Sequence, residues 1–337
     1  MPPDAGQTAE TPILLIPYMW IGDFIRCHSV VRVLRERFPQ RPVDMLTTEL
    51  CAPLIDYMPG VRKGIVFDLP RGRLPLGRYR ELARRMRAEH YGTALVMLRT
   101  WKSALAPFLA GIPERTGFFG EGRLGLINDI RWGERRLERM IDRCGALALP
   151  RGAPLPDDWP VPQLVVPAAA VDDWRQHARI VMDGRPVAAL GPGAVGPGKA
   201  WPPEHFSDLA RRLTADGFAV WVIGGSQERS LAADIAAAAG PLARAFTSPN
   251  LRQAILALRA ADVAITNDSG LMHVAAAIGT PTIAIFGPTS PRLWGPLNPL
   301  AAALEPSTET PDVRHRRTRD VPVDRVFAVV QAALARR

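Results

Sequence analysis

Asp262-Val263-Ala264-Ile265-Thr266-Asn267-Asp268-Ser269-Gly270-Leu271-Met272-His273 reads as a buried strand, a tight polar turn and the start of a helix that continues through the small-residue run 274–279. A helix that opens directly behind a strand gathers unpaired backbone N–H groups where an anion can meet them. Ser269 is placed to cap this helix, and Gly270 leaves the backbone open to close approach by a phosphate. His273, four residues past Ser269, falls one turn further along the same face. The pattern suits the diphosphate of a nucleotide. The plainer alternative is a capped core helix with a surface histidine.

Working outward, the same alternation recurs on both sides. Apolar runs at 187–190, 219–223, 262–266 and 282–286, with a short one near Ala245, alternate with helical patterns. One of these helices carries Phe206, Leu209, Ala210 and Leu213 on a single face. Upstream, runs at 13–16, 43–46 and 94–98 alternate with helical stretches at 22–38, 50–58 and 103–110. In the first of these helices Cys27, Val30, Val31, Leu34 and Phe38 form the stripe expected to be buried. The proline-rich segment 150–167 interrupts the series and reads as a linker. Two α/β domains with parallel sheets facing across a cleft are expected, one over residues 11–165 and one over 166–310. A last helix within 321–337 is open to packing back on the first domain.

The chain has 337 residues, enough for two cores, with 47% hydrophobic and 22% charged residues, as in soluble globular proteins. Cys27, Cys51 and Cys144 are too widely and irregularly spaced for a disulfide framework or a CxxC metal site. The opening residues are acidic and polar where a secretion signal is basic and then apolar, and no apolar run nears the ~20 residues that span a bilayer. A cytoplasmic protein is expected. The net charge of +9 is carried by arginine, the only lysines being Lys63, Lys102 and Lys199. Such an excess suits an anionic ligand, an acidic membrane surface or nucleic acid. Against nucleic acid, the densest cluster, Arg78, Arg80, Arg84, Arg85 and Arg87, lies along one helical pattern around Leu82 and Met86, and no C2H2 or RNP-like motif occurs.

Several strand-end loops carry chemistry. Gly191, Gly193 and Gly196 fit GxGxxG, and 193–199 fit GxxxxGK, but Pro197, Pro202 and Pro203 delay the next helix to about residue 203. Ala200 also replaces the magnesium-binding hydroxyl of a P-loop. What remains is a flexible glycine-rich loop in which Lys199 either neutralises a diphosphate or is a surface lysine. Asp23 follows the first strand, either as a helix cap or as a carboxylate at the ligand end of a parallel sheet. Ser226 and Gln227 lie at a further helix start, and Lys102 follows the strand ending at Leu98. No HExxH, GxSxG or DxD pattern occurs.

Taken together, Trp20-Ile21-Gly22-Asp23, Trp101-Lys102-Ser103-Ala104-Leu105, Ala110-Gly111-Ile112-Pro113, the 193–202 loop ending Lys199-Ala200-Trp201-Pro202, and 267–273 resemble the bacterial lipopolysaccharide heptosyltransferases of glycosyltransferase family 9, nearest to the II type. The likeness runs from about residue 12 to 297; 300–320 match poorly. It implies a GT-B fold, ADP-heptose as donor substrate with no cofactor or essential metal, and transfer with inversion. The acceptor it implies is a lipopolysaccharide inner core already carrying its first heptose. Asp23 would be the general base. Lys199, Ser226, Gln227, Ser269 and Gly270 would bind the nucleotide diphosphate, and Asp268 and His273 the donor sugar. Lys102, Arg115 and Arg123, with Arg131 beside them, are candidates for acceptor phosphates or plain solvent-facing residues. Peripheral contact with the anionic inner face of the inner membrane is expected, and no nucleic acid. The competing readings are a first-heptose transferase or one with another acceptor, a nucleotide-sugar 2-epimerase, and a nonenzymatic two-lobed binding protein.

Overall fold

A computed structural model of the chain describes residues 11–68, 75–180, 182–307 and 312–335. It divides into two compact units at Pro162/Gln163. The first unit runs β1 (Ile13–Ile16), α1 (Ile21–Arg37), β2 (Val43–Thr47), α2 (Ala52–Ile55), β3 (Val61–Val66) and α3 (Leu76–Ala88). It continues with β4 (Thr93–Val96), α4 (Trp101–Leu109), β5 (Glu114–Phe118), β6 (Asp129–Arg131) and α5 (Met140–Ala146). All strand pairs are parallel, in the order β3-β2-β1-β4-β5-β6. This order reverses between β1 and β4, so the loops leaving those two strands part and open a crevice at the carboxyl edge.

Helix α1 is buried on more than the predicted stripe. Every residue from Phe24 to Val31 is buried, because α1 packs on both the sheet and α5. On α3 the pattern is simple: Leu82 and Met86 are buried and the five arginines are exposed, a solvated face as read from the sequence. The stretch 50–58 forms only the single turn α2.

The second unit runs α6 (Ala168–His177), β7 (Val187–Gly191), α7 (Pro203–Ala215), β8 (Ala219–Gly224), α8 (Arg229–Ala239), β9 (Ala243–Thr247) and α9 (Leu251–Ala260). Then come β10 (Val263–Asn267), α10 (Gly270–Ile278), β11 (Thr282–Ile285), α11 (Pro291–Trp294), β12 (Ala301–Leu304) and α12 (Val323–Leu334). Its parallel sheet has the order β12-β11-β10-β7-β8-β9, with the reversal between β10 and β7. Phe206, Leu209, Ala210 and Leu213 of α7 are fully buried, as their spacing predicts.

The last helix belongs to the second unit: Val326 and Val330 join its core and α12 packs on α7. The boundary between the units falls inside the proline-rich segment, and each part of it is bonded within its own unit. In the first, Trp159 is buried with its indole N–H donating to Asp142 (2.9 Å), and Arg32 donates to the carbonyl of Val161 (2.7 Å); in the second, the N–H of Leu164 donates to the carbonyl of Ala277 (2.8 Å).

Candidate functional site

The reversal between β10 and β7 sets the loops 192–202 and 268–269 side by side at the carboxyl edge of the second sheet. Buried Asn267, the last residue of β10, ties them together. Its Oδ1 accepts from the N–H of Trp201 (2.9 Å) and its Nδ2 donates to the carbonyl of Pro192 (2.7 Å). Trp201 is itself buried, its indole N–H donating to the carbonyl of Val321 (3.0 Å). The glycine loop therefore has fixed ends.

Asp268 is 7% exposed, and one carboxylate oxygen accepts from both Lys199 Nζ (2.7 Å) and Thr289 Oγ1 (2.7 Å). The sequence reading gives Asp268 to the donor sugar; in the fold this one oxygen of its carboxylate seats Lys199 at the turn. Ser269 occupies the N-cap position of α10 but makes no side-chain cap hydrogen bond, and its buried hydroxyl has no partner among the described residues. A buried hydroxyl left this way is costly until a ligand meets it. The first turn of a helix also leaves its N–H groups without internal partners and carries about half a positive charge. A lysine, a hydroxyl and a helix N-terminus thus converge on one place, and His273 lies buried one turn further along α10.

Ser226 and Gln227 lie on the short turn after β8, both exposed. Their neighbour Glu228, absent from the sequence-based set, turns back instead. Its carboxylate accepts from the N–H of Gly225 (2.8 Å) and lies so near Gly193 that an added Cβ there would approach it to 3.2 Å. Thr289 and Asn267 were missed as well. A glutamate at the third position of a turn and a polar residue at a strand end are the signals that point to Glu228 and Asn267.

In the first unit the corresponding crevice lies between the loops after β1 and β4. Trp20, not Asp23, is the N-cap residue of α1; Asp23 is the third helical residue and accepts a hydrogen bond from the buried Arg26 (2.9 Å). The cap interpretation of Asp23 is thereby corrected: its carboxylate is held by a side chain. Lys102 is in the first turn of α4, half-buried, next to Ser103, whose N–H donates to the capping hydroxyl of Thr100 (3.4 Å).

The arginine candidates separate from Lys102. Arg123 is 1% exposed and donates to the carbonyls of Phe118, the last residue of β5, and Leu98, just past β4; burial pushes its guanidinium down to about 10. Arg115 donates to the carbonyls of Leu126 (2.7 Å) and Ile112 and stacks over Phe108, with burial lowering its pKa. Arg131 pairs with Asp129 (2.8 Å). Arg123 is thus taken up in closing the chain on itself rather than open to an acceptor phosphate, while Arg115 and Arg131 are half-buried and keep part of their surface in solvent.

Comparison with known proteins gives the family. The description of glycosyltransferase family 9 (heptosyltransferase) matches residues 79–320. The chain is 35% identical to lipopolysaccharide heptosyltransferase 2 of Escherichia coli K12, covering 96% of this chain and 98% of that protein. It is 36% identical to lipooligosaccharide heptosyltransferase 2 of Haemophilus influenzae over 87% and 88% of the two chains. The solved structure of E. coli ADP-heptose LPS heptosyltransferase II superposes with a TM-score of 0.86 at 33% identity, covering 97% of this chain and 99% of that one.

Proposed function

The chain belongs to glycosyltransferase family 9, the heptosyltransferases, and from that premise we propose that it transfers heptose from ADP-heptose to a heptose-bearing lipopolysaccharide inner core, working at the anionic surface of the membrane that holds this acceptor. The fold is the GT-B type, two Rossmann-like parallel-sheet domains, as in the heptosyltransferase II structure. The observation that carries the substrate assignment is similarity to heptosyltransferase 2 along almost the whole of both chains.

In the proposed reaction an acceptor hydroxyl attacks the anomeric carbon as the bond from that carbon to the diphosphate oxygen breaks. The electron pair of the breaking bond leaves with ADP, and the hydroxyl proton passes to Asp23. A carboxylate with an ordinary pKa of about 3.9 is a weak base toward a free alcohol, but the hydroxyl acidifies as its new bond forms. Arg26 fixes the carboxylate direction. Charge on the departing diphosphate is met by Lys199, the Ser269 hydroxyl and the N-terminus of α10, donors of the kind that stabilise a developing anion. Asp268 keeps Lys199 in place, and His273, one turn along α10, is the residue given to the donor sugar. With that donor set the reaction proceeds without a bound metal, and transfer is expected to persist in excess chelator.

The test is to incubate the protein with ADP-heptose and truncated core acceptors and to weigh the products. Gain of one heptose by the acceptor that already carries the first is expected. Gain only by the heptose-free acceptor reassigns the step to the first heptose, and release of free or epimerised sugar without acceptor points to the epimerase reading. Asp23→Asn is expected to slow transfer by at least about 10²-fold, the usual contribution of a general base, while ADP binding by calorimetry stays unchanged.

A further inference from the structure

At the carboxyl edge of the first sheet, two loops present apolar side chains to solvent. Phe119, directly after β5, and Trp132, directly after β6, stack with ring centroids 4.6 Å apart and an interplanar angle of 18°. Trp132 is 66% exposed, Phe119 39%, and Leu124, on the connection between β5 and β6, 64%. Soluble proteins seldom group large exposed apolar side chains without a partner for them.

The loops that carry this patch are braced from beneath. The N–H of Phe119 donates to the carbonyl of Arg131 (2.9 Å), joining the two loops. Buried Arg123, one residue before Leu124, anchors the connection to the ends of β4 and β5. After Trp132, Gly133 turns the chain in the left-handed region (φ 85°), which favours glycine, and the next residue, Glu134, is buried and paired with Arg99 (2.9 Å). The chain then emerges with Arg135 and Arg136, both exposed and with no side-chain partner among the described residues. An aromatic pair, a leucine and the side chains of two consecutive arginines are thus exposed on braced loops.

The geometry points to this patch as the contact with an anionic lipid bilayer, Trp132, Phe119 and Leu124 entering the headgroup region and Arg135 and Arg136 pairing with lipid phosphates. Indole and phenyl rings favour the membrane interface, and basic residues beside them add attraction to acidic lipids. Among the described residues no helix is long and apolar enough to cross a membrane, so a contact of this size would be peripheral. The inference rests on the lipid-anchored acceptor proposed above and names the surface that meets it. Neighbouring strands are about 4.8 Å apart. The ends of β5 and β6 therefore lie two and three strands, roughly 10 and 14 Å, from the end of β1 that leads to Asp23. A short core of a few sugars attached to an embedded lipid spans that distance.

The experiment compares sedimentation with phosphatidylglycerol-containing and pure phosphatidylcholine vesicles, alongside turnover on a deacylated, soluble acceptor. The unaltered protein is expected to sediment with the acidic vesicles and much less with the neutral ones. Trp132→Ser should weaken binding roughly tenfold, the effect of withdrawing one large buried side chain, and Arg135→Glu with Arg136→Glu by at least as much on acidic vesicles. Trp132→Tyr should restore much of the loss. All these variants should turn over the soluble acceptor as the parent does. Vesicle binding unchanged in Trp132→Ser overturns the inference. So does an equal loss of turnover on the soluble acceptor, which would make the aromatic pair a platform for acceptor sugars. Absence of turnover on every acceptor by the parent protein removes the functional reading instead, and the vesicle measurement still decides the surface.

Discussion

Lys199 is held rather than waiting in solvent, because a buried carboxylate 2.7 Å away and the hydroxyl of Thr289 on the same oxygen fix its direction. Lys199→Ala removes the cation and leaves Asp268 buried without its charge partner. ADP affinity by calorimetry is expected to fall about 10- to 100-fold, the worth of a charge-assisted hydrogen bond, with some loss of stability. Asp268→Asn keeps the cation but not its anchor and should cost less affinity. Little of this pairing was legible beforehand, since residues 69 positions apart meet only once β7 and β10 are neighbours. Arg123 makes the same point in reverse. Its charge suggests a phosphate, but three backbone carbonyl contacts claim it, and nothing in the local sequence marks it for burial. Arg123→Leu should destabilise the first unit by about 2–4 kcal/mol in urea unfolding, because the carbonyls lose buried donors. His28 supplies a pH dependence. Burial holds its imidazole below the ordinary range, and its Nε2 faces the carbonyl of Pro59 at 2.8 Å. Unfolded, histidine takes its proton near 6.5, so below that pH the unfolded chain binds more protons than the folded one. Stability from this site is complete above about 6.5 and declines as the pH falls below it. The thermal midpoint should drop more steeply between about pH 6.5 and 5 in the parent than in His28→Gln, which cannot titrate there.

Elements differ in how openly the sequence declares them. Helix α7 is plain, because Phe206, Leu209, Ala210 and Leu213 repeat at helical spacing and are all buried. Strand β5, Glu114-Arg115-Thr116-Gly117-Phe118, has no such signature, since its polar groups are satisfied sideways: Thr116 Oγ1 donates to Asp129 (3.1 Å), and the N–H of Arg115 donates to Asn128 (2.8 Å). Segment 313–321 was silent for a similar reason. It is joined to the glycine loop by polar contacts of single residues: Thr318 Oγ1 donates to the carbonyl of Ala200 (2.7 Å), and the carbonyl of Val321 accepts from Trp201. Gly287 is the position at which this clip is most exposed to test. A Cβ added there would approach the Thr318 nitrogen to 2.9 Å and the Gly198 carbonyl to 3.1 Å. Gly287→Ala must therefore push the clip away from the loop. A loss of about 1–3 kcal/mol is expected by urea titration, together with weaker ADP binding, because Lys199 directly follows Gly198, whose carbonyl the added methyl group crowds. Trimming Thr318 to Ser should not rescue the variant, since the backbone nitrogen remains in the way.

At the scale of the whole molecule the two units repeat one device: a parallel sheet whose strand order reverses once, with the candidate residues on the loops at the reversal. That much follows from the alternation of apolar runs and helical patterns, because parallel strands joined by helices place every such loop on one edge. The proposed division of labour does not follow from topology, since both edges could in principle take a nucleotide. It rests on side chains. The second unit has the lysine, the serine hydroxyl without a partner among the described residues and the open turn at Gly270; the first has a carboxylate in the first turn of α1, which would repel a diphosphate. ADP alone should accordingly slow amide hydrogen exchange in the second unit, at 191–200 and 267–274, and leave 13–37 and 97–123 of the first unit as they are. Each unit has its own core, so local opening in one is not obliged to follow ligand binding in the other. The same measurement with Lys199→Ala should lose the protection at 267–274. Protection confined to the loops after β1 and β4 would assign the nucleotide to the first unit and reverse the roles given to Asp23 and Lys199.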